Sequence, residues 1–180
     1  IPQWGNSDVV ETWAIEHMQP VRLSSASGLG IRQYKTWEIT ETISQDTVVQ
    51  FDNAVGLLDY KLFDTPLPTG EIVLWLYWRP LTQSDTPLKS FIHLVGDANP
   101  VTGSPLWAQD DQFPQDGRID STSWDVGTIY RDVYYLPSSE LQIGEYQILV
   151  GWYNPETNTR LRTNLNSDTY TLTTFTYPPK

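Results

Sequence analysis

Two stretches, EIVLWLYWR (71–79) and EYQILVGWY (145–153), constrain the fold more than any other feature of this chain. Both are short, rich in β-branched and aromatic residues, and of strand rather than helix length. Side chains alternate across a strand, so Ile72, Leu74, Leu76 and Trp78 share one face of the first. Val73, Trp75, Tyr77 and Arg79 share its other face. In the second, Tyr146, Ile148, Val150 and Trp152 form a core row, with Leu149 and Tyr153 pointing the opposite way. A strand with one wet face should not carry Val-Trp-Tyr on its outside. Either another layer covers Trp75 and Tyr77, or they form an exposed aromatic platform.

From Asp46 onward similar runs recur, separated by Pro, Gly, Asp and Ser. Strands are expected at 48–51, 55–63, 71–81, 89–95, 106–109, 129–136, 145–153, 160–162 and 169–177. Turn chemistry lies between them in LPTG (67–70), GDANPVTGSP (96–105), PSSELQIG (137–144) and NPETNT (154–159). This spacing predicts an all-β domain over 46–180, a two-sheet antiparallel β-sandwich, immunoglobulin-like or jelly-roll-like. In YTLTTFTY (170–177) the apolar residues change phase, from Tyr170 and Leu172 to Phe175 and Tyr177. A bulge near Thr173–Thr174 would reconcile them. Residues 1–45 read as an N-terminal arm packing on the sandwich, over the Trp75/Tyr77 face. Within it, Asp8 and Glu11 suit a capping box for a short helix through Met18, ended by Pro20. SSASGLG (24–30) reads as a flexible turn, and 31–43 as strand-like.

Charge narrows the partners. Lys and Arg total 11 against 22 Asp and Glu, a formal net charge of -11. Phosphate-backbone binding needs clustered cations, so nucleic acid is excluded as an expected partner. Anionic lipid would repel the chain, and its apolar runs are too short for membrane insertion. Without cysteine there is no disulfide framework and no thiolate metal site. That absence is commoner in bacterial exported domains. The start at Ile1 reads as an excised or processed fragment.

The motifs LWLYWRPL (74–81), FIHLVGD (91–97), WAQDDQFPQDG (107–117), RDVYYLP (131–137) and GEYQILVGWYNPETNTRL (144–161) occur in this order. In that combination residues 48–175 resemble the C-terminal soluble β-sandwich of bacterial membrane glycosyltransferases of the protein-mannosyltransferase type. The resemblance implies an extracytoplasmic location, in a carbohydrate or cell-envelope setting. In that family the transfer chemistry belongs to membrane-embedded and loop carboxylates, a region with no counterpart here. A non-catalytic accessory domain is therefore expected, with a glycan or cell-envelope component as partner and no catalytic residues of its own. The alternative is a structural or protein-docking module with no small-molecule ligand.

The segment WAQDDQFPQDGRIDSTSWDVG (107–127) concentrates the candidate chemistry. Sugar rings stack their C–H faces on Trp or Tyr while carboxylates pair with their hydroxyls. Trp107, Asp110, Asp111 and Trp124 offer both groups, and Trp75 with Tyr77 would be an alternative platform. The competing reading has Trp107 and Trp124 plugging the end of the sandwich. Asp110, Asp111, Asp116 and Asp120 are candidate ligands for Ca²⁺, which takes six to eight oxygens, although the spacing is not that of a helix–loop–helix site. A glycosidase-like pair would join Asp110 or Asp111 to Asp132 at roughly 5–9 Å. The plainest alternative is a rigid connection, its aspartates bound to Arg118, Arg131 and backbone amides, with Arg79 as a further partner. His93, between apolar neighbours, reads as a buried hydrogen-bonded imidazole.

Overall fold

In the computed structural model the described residues are 18–26, 29–36, 43–67 and 69–178. Near the N terminus, β1 (Met18–Ala26) pairs antiparallel with β2 (Leu29–Thr36). Met18 and Pro20 therefore lie in a strand, where the sequence suggested the end of a helix, and most of 24–30 is strand as well. The helix start and the packing of the arm lie outside the described residues.

The remaining strands form two antiparallel sheets. The first has the order β3 (Val49–Phe51), β4 (Val55–Phe63), β5 (Glu71–Pro80), β8 (Tyr130–Pro137). The second has the order β10 (Thr159–Arg160), β9 (Gly144–Asn154), β6 (Lys89–Val95), β7 (Leu106–Gln112). Strand β11 (Tyr170–Tyr177) also pairs with β9. The chain crosses between sheets after β5, β7 and β8, so the β6–β7 hairpin belongs to one sheet and its flanking strands to the other.

The inward rows are those the alternation predicts. Leu74, Leu76 and Trp78 face Ile148, Val150 and Trp152, all fully buried. Trp78 and Trp152 meet edge to face with centroids 5.1 Å apart, which joins the sheets at one end. Truncating either ring to Ala would cost about 3–5 kcal/mol by transfer and cavity terms. Outside the first sheet, Leu58, Val73, Trp75 and Tyr77 make a second buried cluster, with Ile43 and Phe63 packed against it. Trp75 and Tyr77 are only 4 % and 6 % exposed, so this face is covered and is not an open platform.

Strand β11 changes phase as expected, with the irregularity between Thr171 and Thr173, two residues before the expected place. Gly151 is needed for a different reason. A Cβ there would sit 2.2 Å from Cζ of Phe91, whose ring lies directly on the β9 backbone.

Candidate functional site

Strand β7 continues through Gln112, so Asp110 and Asp111 belong to a strand, not to the loop. Asp is depleted in strands, which is why the sequence suggested an earlier end. The consequence is geometric, because consecutive strand residues point to opposite sides. Asp110 turns toward β8, where its Oδ2 accepts the Tyr135 backbone N–H at 2.9 Å. Asp111 is exposed on the outer face of the second sheet.

Two residues on, the Gln112 side chain donates to the Val133 carbonyl at 3.1 Å. Asp110 and Gln112 thus supply the acceptor and the donor that edge strand β8 lacks on this side. A side-chain ladder closes the seam between the sheets. Burial pushes the Asp110 carboxyl up, the Tyr135 N–H opposes this, and Asp116 and Asp111 add to the rise.

Behind the seam lies a buried polar chain. Asp132 alternates with Tyr134 and Leu136 on the inward side of β8 and is 1 % exposed. Its Oδ1 accepts the Gln115 N–H at 2.8 Å, and its Oδ2 accepts from the Tyr134 hydroxyl at 3.3 Å. That hydroxyl also meets Ser90 Oγ at 2.7 Å, and Ser90 donates to the Gln112 carbonyl at 3.2 Å. Desolvation pushes the Asp132 carboxyl up to about 7, against the two hydrogen bonds that favour its charged form. Burial and the Asp132 charge together raise the Tyr134 hydroxyl well above its ordinary range. Asp132 therefore has the pKa of a general acid but sits between the sheets, where no glycosidic oxygen can reach it. Of its two candidate partners, Asp110 is committed to β8 and Asp111 lies on the outer face.

The connection from β7 to β8 is held by backbone and short side-chain hydrogen bonds. Pro114–Gly117 makes one helical turn in which Gln115 and Asp116 adopt left-handed angles, φ 52° and 57°. Asp120 then caps the 3₁₀ turn Ser121–Ser123, accepting the Thr122 N–H at 2.9 Å. Ser121 Oγ accepts the buried Leu88 N–H at 2.8 Å. The Gly127 N–H bonds the Pro80 carbonyl at 2.9 Å, tying the loop to β5.

Among the described residues no arginine forks onto the aspartates of 107–127. Arg79 instead donates to the backbone and side-chain oxygens of Gln45, and Arg131 stacks over Trp75, 4.5 Å from the ring centroid. Among the described residues no three acidic, His or Cys side chains are arranged to hold a metal ion, so Asp110, Asp111, Asp116 and Asp120 form no calcium cluster. One faces β8, one the outer surface, one lies in a turn and one is a cap.

The two tryptophans of the segment do not form one site. Trp124 is 2 % exposed, stacked on Tyr130 at 4.9 Å and edge-on to Trp152 at 5.6 Å. Trp107 is half-buried at the opposite end, edge-on to Tyr146 at 5.6 Å, with its Nε1 donating to the Asp97 carbonyl at 2.7 Å. Tyr146 and Trp152 are six residues apart on β9, a separation of roughly 20 Å. Each Trp plugs one end of the sandwich, and no single sugar ring could touch both.

Sequence reasoning overlooked the outer face of the second sheet. His93 points there, half-buried, 4.9 Å from the Phe91 ring. Burial lowers its pKa, Asp111 opposes this, and Arg160 adds to it. Arg160 lies 4.5 Å over Phe91 and pairs with Asp168 at 3.3 Å. The available signal was alternation in SFIHLV, which puts Phe91 and His93 on the side opposite Ile92 and Leu94.

No protein-family model, curated protein or solved structure matches the chain. No helix among the described residues is long and apolar enough to cross a membrane.

Proposed function

We propose that this chain is a non-catalytic β-sandwich accessory module, acting as the extracytoplasmic tail of a membrane sugar-transfer protein. One observation carries the non-catalytic part. Of the three carboxylates weighed as a glycosidase-like pair, Asp110 and Asp132 are engaged by the protein's own N–H groups, from Tyr135 and Gln115, and Asp111 lies apart on the outer face. The sugar-transfer setting rests on the motif order in 74–161. Within this reading the docking role is favoured over glycan contact, because Trp75, Tyr77 and Trp124 are buried and Trp107 is bound to Asp97.

A glycan array with hydrolysis assays on aryl glycosides tests both parts. No glycoside should be cleaved, and no saturable glycan binding should depend on Trp107 or Trp124. Binding lost in a folded Trp107→Ala variant would restore the carbohydrate reading. Hydrolysis lost in Asp111→Asn or Asp132→Asn would overturn the non-catalytic one. For the setting, the coding sequence upstream of Ile1 should contain several membrane spans, and a secretion signal directly before Ile1 would overturn it.

A further inference from the structure

A carboxyl folded out of water needs either a cation beside it or a proton on it. Asp132 is 1 % exposed, and among the described residues no cation acts on it. The elements packed around it bring little charge. Strand β5 sets Leu76 level with it, β6 brings Ser90 and β7 brings Gln112. Tyr134, on its own strand, is the titratable group that touches it. The nearby charges face elsewhere: Asp110 accepts from Tyr135, Lys89 lies over Phe113 and Arg131 over Trp75. Asp116, in the neighbouring turn, is exposed and acts on Asp110.

A proton completes the buried chain. Carried on Oδ2 of Asp132, it donates to the Tyr134 oxygen, Tyr134 donates to Ser90 Oγ, and Ser90 to the Gln112 carbonyl, so each donor has one acceptor. Oδ1 still accepts the Gln115 N–H. Without the proton, Tyr134 must turn its O–H back to Asp132, and the carboxylate has two donors for about four lone-pair sites. A buried charge so short of partners gains by reaching water.

The turn Pro114–Gly117 is the way out. Its other backbone bonds close within the connection: the Gly117 N–H to Phe113, the Arg118 N–H to Gln115 and the Ile119 N–H to Pro114, at 3.2, 3.2 and 3.4 Å. Among the described residues, the Gln115 N–H to Asp132 is the hydrogen bond that ties this turn to a strand. Gln115 and Asp116 both hold left-handed angles, which residues other than glycine keep only under constraint. Like charge between Asp116 and Asp110 pushes the same way.

We propose that Asp132 is a proton-operated latch: protonated, it keeps Pro114–Gly117 docked on β8, and ionised, it releases that turn while the two sheets stay folded. This goes beyond the proposed function and does not depend on it. In the released state the carboxyl is hydrated and has its ordinary acidity, whereas in the docked state burial holds it up at about 7. Opening therefore grows as pH rises from about 4 and levels off above about 7.

Amide exchange from about pH 5 to about pH 8 is the test, each rate being divided by that of unstructured peptide at the same pH. Protection at Gln115 and Ile119 should fall at least about tenfold between about pH 5 and about pH 7, then level off. At every pH it should stay well below that of Trp78 and Val150, buried in β5 and β9, which exchange when the whole sandwich unfolds. Asp132→Asn keeps an acceptor for Gln115 and a donor for Tyr134 but cannot ionise, so protection of its turn should not vary with pH. The carboxyl-carbon NMR shift of Asp132 in the unaltered chain gives a second readout should that variant fail to fold, with a midpoint expected where the protection levels off. Turn protection that ignores pH, that equals that of Trp78 and Val150, or that falls as steeply in folded Asp132→Asn would overturn the inference. So would an Asp132 carboxyl that titrates at its ordinary value of about 4.

Discussion

The two long sides of the sandwich are closed by different chemistry. On the β7–β8 side, side chains do the work: Asp110 and Gln112 reach the edge of β8, and Asp132, Tyr134 and Ser90 form a buried chain behind them. On the β3 side the main chain does it, as 162–164 runs beside β3 and Asn164 Oδ1 accepts the Gln50 N–H at 3.1 Å. A seam of backbone tolerates any side chain that leaves the strand extended. One of buried carboxylates depends on residue identity and on pH.

The largest test of that difference is titration of Asp132. Its folded pKa of about 7 lies above the ordinary aspartate value of 3.8, so the folded state keeps a proton that the unfolded chain has released. Stability from this group is complete below about pH 4 and is lost as pH rises toward about 7. The effect is bounded at roughly 4 kcal/mol. Asp110, also raised, acts in the same direction. Asp132→Asn should flatten this part of the stability–pH curve, measured by urea unfolding at fixed pH steps, and a slope equal to the parent's would refute the assignment.

Next in size is Asp110→Ala, which strands the Tyr135 N–H at a half-buried edge. The expected loss is about 1–3 kcal/mol, with faster amide exchange along β8, and Asp110→Asn, which keeps an acceptor, should lose less. Smallest is Asn164→Ala on the other side. Its bond to the Gln50 N–H is exposed, and the neighbouring backbone bonds remain, so about 0.5–1 kcal/mol is expected. If Asn164→Ala proved as costly as Asp110→Ala, the contrast between the seams would fail.

Much of the sandwich was legible because alternation and turn chemistry are local. The boundaries of β4 and β6 match the sequence reading residue for residue, as do the inward rows of β5 and β9. The 107–127 segment was not legible, because its meaning depends on which edge lies beside it. Asp110 and Asp111 look equivalent in sequence, yet one residue of strand register sends them to opposite sides. Arg79 and Arg131 were assigned to the aspartates by charge alone, whereas Gln45 and the Trp75 ring receive them. Asp132 was partly legible: alternation in RDVYYLP puts it in phase with Tyr134 and Leu136, and that phase marks a buried acid.

The indoles at the loop end have a spectroscopic consequence. Trp124 comes from the connection, Trp152 from the second sheet and Trp78 from the first, with successive centroids 5.6 Å and 5.1 Å apart. Rings so close and so nearly perpendicular couple their electronic transitions, and the coupling fades when any of the three pieces swings away. The protein thus carries a built-in optical gauge of its own closure, readable in the near-ultraviolet without a label.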